Sequence, residues 1–162
     1  MVGIISFLIF IGHMFVTNYI SYHIMKNRVI NRRDWDLNIC SGKTDGGALN
    51  VDIIKHTELP NFKKIKNIYN LPYPDNHFEY VLSSHTIEHV QDPLKFYNEL
   101  RRVGKNVKII VPPLWDLSAA FNILEHKWIF LTFKTEHSTV PPFIKLPFAR
   151  IFQEKFGQKI KA

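Results

Sequence analysis

The sequence predicts an α/β domain with a mainly parallel sheet, preceded by an apolar helix that spans a membrane. Residues 1–25 contain no Asp, Glu, Lys or Arg. From Leu37 onward, short apolar runs alternate with Gly, Pro and Asn, which is typical of strands separated by loops and helices. A helical pattern over Pro93–Val103 joins two apolar runs, as the crossover between parallel strands does.

The N-terminal segment, residues 1–25, is predicted to be a transmembrane anchor. Its apolar part, Val2–Ile20, is long enough to cross a hydrocarbon core. No basic residue precedes it and no small-residue cleavage site follows, which disfavours a signal peptide; a buried core helix is the other alternative. His13, Asn18 and His23 would be costly in hydrocarbon without partners, so we expect them to face another helix.

A basic linker, residues 26–36, is predicted to follow the anchor. An excess of positive charge on this flank favours a cytoplasmic location, or its organellar equivalent, for the domain that comes next. The charges come from Lys26, Arg28, Arg32 and Arg33.

The overall composition bounds the partners of the chain. The net charge of +7 favours an anionic partner. Because the Lys and Arg residues are scattered among apolar neighbours, we expect a membrane surface and no nucleic acid. The sole cysteine, Cys40, cannot form an internal disulfide, which favours a reducing compartment.

The remaining 126 residues or so, 37–162, are predicted to form one domain. The helix is the best defined element, because Asp92 is a natural N-cap, Pro93 suits the first helical position and Gly104 ends the pattern. The strands are expected at Leu37–Cys40, Leu49–Ile54, Lys66–Tyr69, Phe78–Ser83 and Val107–Val111. A final amphipathic pattern over Phe148–Ile160 suits packing on the core or lying on a membrane surface.

The run Leu71–Pro93 reads LPYPDNHFEYVLSSHTIEHVQDP. Its prolines and Asp75-Asn76 predict a loop that enters a buried strand, after which Ser83-Ser84-His85 emerges at the carboxyl end. The run resembles class I methyltransferases, which carry an LPFPDNSFD loop and then SSHxLEHxxDP. The resemblance implies a Rossmann-like, mainly parallel sheet in the order 3-2-1-4-5, shortened from the seven-stranded fold. It also implies S-adenosylmethionine as the cofactor.

The resemblance assigns cofactor-binding residues to this sequence. Leu37–Lys43 stands where the family has its LDLGCG turn, with Gly42 in place, Cys40 at a glycine position and Asn38 at an acidic one. Asp52, followed by Ile53, corresponds to the residue that accepts the ribose hydroxyls. Asn67 and Ile68 correspond to the adenine site, and Ser84 ends the fourth strand. About ten positions separate Gly42 from Asp52, where roughly twenty are usual, so the first crossover must shorten to about a turn.

The resemblance also places His85, Glu88 and His89 beside the acceptor pocket, where a histidine could remove a proton near neutral pH. An equally good hypothesis is that Glu88 and His89 only tie the strand to the next helix. The same letters match the H-x-x-E-H zinc pattern, which needs a long helix. Because Asp92-Pro93 begins a new helix so soon, we predict no metal site.

The predicted function is methyl transfer from S-adenosylmethionine to a small or lipid-linked, membrane-associated acceptor. The alternative is a degenerate methyltransferase-fold subunit with a structural or interaction role among other membrane-protein subunits, because fold alone does not determine function. A zinc hydrolase, resting on His85 and His89, is a third possibility.

Overall fold

The computed structural model describes residues 2–156 and contains a six-stranded sheet in the order β3-β2-β1-β4-β5-β7. Strands β1 to β5 are parallel to their neighbours, whereas β7 runs antiparallel to β5. The strands of this sheet are β1 Leu37–Ile39, β2 Leu49–Asp52, β3 Phe62–Lys64, β4 Phe78–Ser84, β5 Gly104–Ile110 and β7 Glu136–His137. A separate antiparallel pair joins β6 Trp128–Phe130 to β8 Phe143–Lys145.

The predicted strand order 3-2-1-4-5 and the Rossmann-like fold class are confirmed. The third strand was predicted at the wrong place, since Phe62–Lys64 pairs with β2 and Lys66–Tyr69 does not form a strand. The Asn67 Oδ1 atom accepts a hydrogen bond from the Tyr69 N–H at 2.8 Å, which holds a turn there. An Asn side chain that bonds the backbone two residues on favours a turn over a ladder.

The N-terminal helix is continuous from Val2 to Ile30. It comprises α1 Val2–Tyr19, a π-helical segment Ile20–Met25 and α2 Lys26–Ile30. The helix therefore extends past residue 25 into the segment predicted as a linker. The other helices are α3 Pro93–Val103, α4 Leu117–Ala120 and α5 Ala149–Phe156. Of the amphipathic pattern predicted over Phe148–Ile160, the part after residue 156 lies outside the described residues.

The first three crossovers of the sheet are loops: residues 40–48, 53–61 and 65–77 contain no helix. The loop after β1 folds back over the sheet, where the buried side chain of Asn38 donates to the Thr44 carbonyl and to Asn50 Oδ1, both at 2.9 Å. Asn50 Nδ2 donates in turn to Asp45 at 2.8 Å. At Gly47 a Cβ atom would lie 2.9 Å from the backbone nitrogen of Asn38, so only glycine allows the loop to approach β1 this closely.

The LPYPDN loop is held at the amino end of β4, opposite the edge where ligands bind in such sheets. Arg102 of α3 donates to the carbonyls of Leu71 and Tyr73 and to the carboxylates of Asp75 and Glu99. The first part of the run that resembles methyltransferases therefore has a structural role: its contacts with Arg102 attach the loop to α3 and position β4.

The N-terminal helix packs along the domain with one face. Ser21, Lys26, Val29 and Ile30 are buried, and α2 covers Leu82 and Ile110 of the sheet. Further up, the Asn18 side chain donates to the Oδ2 atom of Asp116 at 3.3 Å. Asp116 is fully buried and caps α4 with its other oxygen, so Asn18 faces a helix of its own domain.

We expect Asn18→Leu to destabilise the protein. The substitution would leave the buried Asp116 Oδ2 atom without its hydrogen-bond partner, at a cost of about 1–3 kcal/mol. Chemical denaturation in detergent measures this loss. Asn27→Leu is the matched control, since the same change at an exposed position of the same helix should leave the unfolding midpoint nearly unchanged. Equal midpoints for both variants would contradict the role of this bond.

Candidate functional site

A groove of about 900 Å³ lies at the carboxyl ends of β1, β2 and β4. Of the predicted cofactor-binding residues, Gly42, Asp52 and Ile53 line it. The predicted catalytic residues His85 and His89 line its other side. Open parallel sheets place ligands at this edge, and the volume falls in the range of small-molecule sites.

Asp52 is the most constrained residue of the groove. Its carboxylate accepts a hydrogen bond from the Gly42 N–H at 2.9 Å and another from the Ile54 N–H at 3.3 Å, and the residue is only 5% exposed. An ionised carboxylate has about four acceptor positions. These two backbone bonds orient the side chain and still leave acceptor capacity for two hydroxyl groups.

Cys40 lines the groove beside Gly42 and Asp52. Its φ angle is 52°, close to the 56° of Gly42, so both residues have the left-handed conformation that favours glycine. The glycine of the family turn is therefore replaced, but its backbone conformation is kept. For a residue with a side chain this conformation costs roughly 1–2 kcal/mol.

We expect the Cys40 thiol to react slowly with iodoacetamide at neutral pH. Desolvation and the charge of Asp52 raise the thiol pKa, although a contact with Thr86 opposes them. A raised pKa leaves little thiolate, which is the reactive species, so the rate should rise only at alkaline pH. Asp52→Asn removes a negative charge that raises the thiol pKa, so it should accelerate alkylation. Mass spectrometry measures the rate. An alkylation rate as fast as that of a free thiol would contradict this environment.

The other predicted cofactor-binding residues do not line the groove. Asn38 is buried in the polar network under the β1–β2 loop, and Ile68 belongs to the main core. Asn67 is exposed in its turn. The Ser84 hydroxyl is buried without a hydrogen-bond partner among the described residues. The structure thus brings Gly42, Asp52 and Ile53 together in the groove. The other four predicted residues lie outside it.

A second cavity, of about 700 Å³, lies between the N-terminal helix and the domain. His85 and His89 line both this cavity and the groove, and Glu88 lines the cavity. From the helix come apolar and polar side chains, including those of Ile11, Met14, Phe15, Asn18 and Tyr22. The two histidines therefore stand at the boundary between the groove and the cavity.

The predicted catalytic residues sit in a turn after β4, not in a helix. His85 has a φ of 50°, and its Nδ1 atom lies 3.3 Å from Glu88 Oε1. The Tyr22 ring of the π-helical segment packs on His85 with 5.1 Å between centroids. The His89 Nδ1 atom lies 3.0 Å from the Glu125 carbonyl oxygen. The helical spacing that the H-x-x-E-H pattern requires is absent.

The histidines around Glu88 favour its charged form, although the residue is fully buried. Burial raises its pKa, but the nearby His85 ring and the charges of His89, His85 and His126 lower it, and the net pKa is about 2. For His126, burial is the main effect and lowers the pKa to about 4, against the charge of Glu88 and a backbone bond to Ala119; His89 and His85 lower it further. Glu88 would therefore lose its charge only below a pH of about 2. His126 is neutral above a pH of about 4.

His126 and Tyr22 are site residues that sequence reasoning missed. His126 follows α4, far along the chain from Glu88, and reaches the cavity because the Lys127 N–H donates to the Glu88 carbonyl at 2.8 Å. No motif spacing links two such distant positions. The face of the N-terminal helix that includes Tyr22 depends on how the helix packs, which an apolar composition does not specify.

Residues 51–111 match the family model described as a methyltransferase domain. The resemblance to class I methyltransferases is confirmed over these residues, and the match supports S-adenosylmethionine as the cofactor. Residues 51–111 include Asp52, β4, α3 and the turn with His85, Glu88 and His89.

Individual relatives match shorter segments. An uncharacterized protein of Methanocaldococcus jannaschii is 41% identical over 64 residues, which is 39% of this chain and 28% of that protein. Ajmaline N-methyltransferase of Rauvolfia serpentina is 48% identical over 42 residues, 26% of this chain and 14% of the enzyme. The matches therefore span less than a third of either curated relative.

Among solved structures, a possible histamine N-methyltransferase of Thermotoga maritima is similar. Its TM-score is 0.46 at 18% identity, and the match covers 67% of this chain and 59% of the other.

Proposed function

We propose that this protein is a membrane-associated methyltransferase that transfers a methyl group from S-adenosylmethionine to a small or lipid-linked acceptor. The proposal rests mainly on one observation: the groove and the cavity adjoin each other. The groove with Gly42, Asp52 and Ile53 adjoins the cavity under the apolar helix, and His85 and His89 line both.

The groove suits the cofactor. Asp52 keeps free acceptor positions toward the open space, as ribose hydroxyls require, and Gly42 leaves the backbone uncovered beside it. Ile53 and Ile54 add apolar surface. S-adenosylmethionine, when bound, supplies an electrophilic methyl group on a sulfonium centre. The protein's main contribution is then to position the acceptor, since an aligned intramolecular reaction needs little further help.

His85 and His89 are proposed to remove the acceptor proton. The Glu125 carbonyl can only accept a hydrogen bond, so the His89 Nδ1 atom carries a proton and Nε2 keeps its lone pair. His85 is oriented by Glu88 on one side and Tyr22 on the other. A histidine held in this way acts as a general base near neutral pH.

The N-terminal helix is proposed to hold the protein in a membrane and to guide the acceptor. Residues Gly3–Ile30 form a helix that is long and apolar enough to cross a bilayer. Its first turns, Gly3 to Phe10, are exposed on all sides, and apolar surface of this extent suits a lipid environment. Because the cavity lies against this helix, a lipid-soluble acceptor can enter from the membrane. The basic flank supports a location of the domain on the cytoplasmic side or its organellar equivalent.

Transfer of a labelled methyl group tests the proposal. Full-length protein in native membranes is incubated with S-adenosylmethionine labelled in its methyl group, and the organic and aqueous extracts are counted separately. We expect label in the organic extract that depends on Asp52. Label in neither extract, with the cofactor bound, would contradict the enzymatic role.

A second candidate function is a structural subunit that keeps the fold without the reaction. The loop crossover over residues 40–48 favours it, because no helix N-terminus follows β1 to face a ligand. The side chain of Cys40, at a position where the family has glycine, also favours it. This hypothesis predicts no binding of S-adenosylmethionine by the native protein.

We expect Cys40→Gly to raise the affinity for S-adenosylmethionine by up to about tenfold, equivalent to about 1.4 kcal/mol. Glycine fits the left-handed backbone and removes the side chain beside Gly42 and Asp52. Cys40→Ala is the control, because it removes the thiol and keeps the unfavourable conformation. Calorimetric titration measures both. Affinity that falls in the glycine variant would show that the thiol does not crowd the ligand.

A further inference from the structure

Three potential metal ligands converge in the cavity beneath the N-terminal helix. Glu88, His89 and His126 each offer one ligand atom, and these atoms all lie within 4.8 Å of one another. The first two follow β4, whereas His126 comes from the segment between α4 and β6. All three line the cavity, so a bound ion would have access to a molecule within it.

The carboxylate of Glu88 is buried without a hydrogen bond. The residue is 0% exposed, and within residues 2–156 neither of its carboxylate oxygens has a hydrogen-bond partner. The His85 Nδ1 atom lies 3.3 Å from Oε1 but without hydrogen-bond geometry. Burying a carboxylate without hydrogen bonds is unfavourable by several kcal/mol. A cation within reach of these oxygens would give the carboxylate a charge partner in addition to the histidines.

Each histidine also has a nitrogen available for a metal. His89 uses Nδ1 to donate to the Glu125 carbonyl at 3.0 Å, which leaves Nε2 as the free ligand atom. The Nδ1 atom of His126 is buried and has no hydrogen-bond partner in the described part of the chain. A ring held by a backbone carbonyl through one nitrogen is the usual second-shell arrangement of a metal-binding histidine.

We propose that Glu88, His89 and His126 bind a divalent metal ion of the zinc class. Two imidazoles and one carboxylate are the protein ligands of zinc sites that keep an open position for water or substrate. The set differs from the H-x-x-E-H pattern, in which His85 would be a ligand and His126 would not. The open position would face the cavity, where an ion could bind an acceptor oxygen and lower its pKa. Because His89 would then bind the ion through Nε2, His85 alone would remain to remove the acceptor proton. That chemical role rests on the proposed function, whereas binding itself does not.

The test is titration of the full-length protein in detergent with ZnCl2 after removal of metals with a chelator. We expect one equivalent of zinc to bind and to raise the unfolding temperature, because a ligand of the native state stabilises it. Glu88→Gln, His89→Gln and His126→Gln should each weaken binding more than about a hundredfold, because loss of a ligand costs more than loss of a second-shell partner, which is worth about 10- to 100-fold. Circular dichroism of the metal-free variants verifies that each one folds.

Two control variants make the assignment specific. His77→Gln alters an exposed histidine that does not line the cavity and should bind zinc like the wild type. His85→Gln should weaken binding less, by about tenfold, because His85 contacts the ligand Glu88 but is not itself a proposed ligand. Zinc binding that survives His126→Gln, or no stoichiometric binding by the wild type, would overturn the proposal. Titrating S-adenosylmethionine into the same samples separates failure of the metal site from failure of the cofactor site.

Discussion

Asp52→Ala is expected to weaken binding of S-adenosylmethionine by about one to two orders of magnitude. The substitution removes a carboxylate that lines the groove and is held in place by the backbone N–H groups of Gly42 and Ile54. Hydrogen bonds to a charged group are worth about 1.5–3 kcal/mol, and each 1.4 kcal/mol corresponds to about a factor of ten in affinity. Calorimetric titration of the full-length protein measures the effect.

Two further variants separate a ribose contact from a general loss of structure. The Gly42 and Ile54 N–H groups bond different oxygens of Asp52, so Asp52→Asn keeps only one of these two bonds. Its remaining oxygen can still accept a hydrogen bond from the ligand, and its affinity should be intermediate. Asp34→Ala removes a carboxylate at an exposed position outside the groove and should bind like the wild type. If Asp52→Ala bound the cofactor as tightly as the wild type, the assignment of the groove would be wrong.

Lysine substitutions on the exposed part of the N-terminal helix are expected to release the protein from membranes. Ile4, Leu8 and Ile9 are 67%, 62% and 67% exposed, belong to no core cluster of the domain and do not line the cavity. A lysine in the centre of a membrane helix costs about 2.5–3.5 kcal/mol on the insertion scale. The triple substitution should therefore move the protein to the soluble fraction after carbonate extraction, while the domain remains folded.

A matched control is Asn70→Lys, which adds a positive charge at an exposed polar position of the domain. It should remain with the membrane fraction. A triple variant that still resists carbonate extraction would contradict the proposed anchor. Deletion of residues 1–25 is a poorer test, because it also removes Asn18 and Tyr22, which contact Asp116 and His85.

The sequence predicted the elements that local chemistry determines. Helix α3 begins and ends where Asp92, Pro93 and Gly104 indicate, because capping groups and proline act within one turn. Strands β1, β2 and β4 follow their apolar runs. The third strand was misplaced because Asn67 makes a turn with its own neighbours, and a three-residue strand leaves little periodicity to detect.

The candidate site was only partly predictable for a different physical reason. Asp52 and Gly42 lie at strand ends, and the carboxyl ends of parallel strands share one edge of the sheet. By contrast, Asn38 is used to hold the loop that replaces the first crossover helix. His126 and Tyr22 reach the cavity through packing between distant segments, and such contacts leave no spacing in the sequence. The apolar helix was predicted as an anchor, but its contact with the site depends on tertiary structure.

Calorimetric titration of the wild-type, full-length protein with S-adenosylmethionine shows whether the groove binds the cofactor. The protein is kept in detergent so that the N-terminal helix and its cavity stay intact. We expect saturable binding of one cofactor molecule per chain, tighter in Cys40→Gly and at least about tenfold weaker in Asp52→Ala. Absence of binding in both the wild type and Cys40→Gly, with the domain folded, would contradict the methyltransferase function and leave the fold alone.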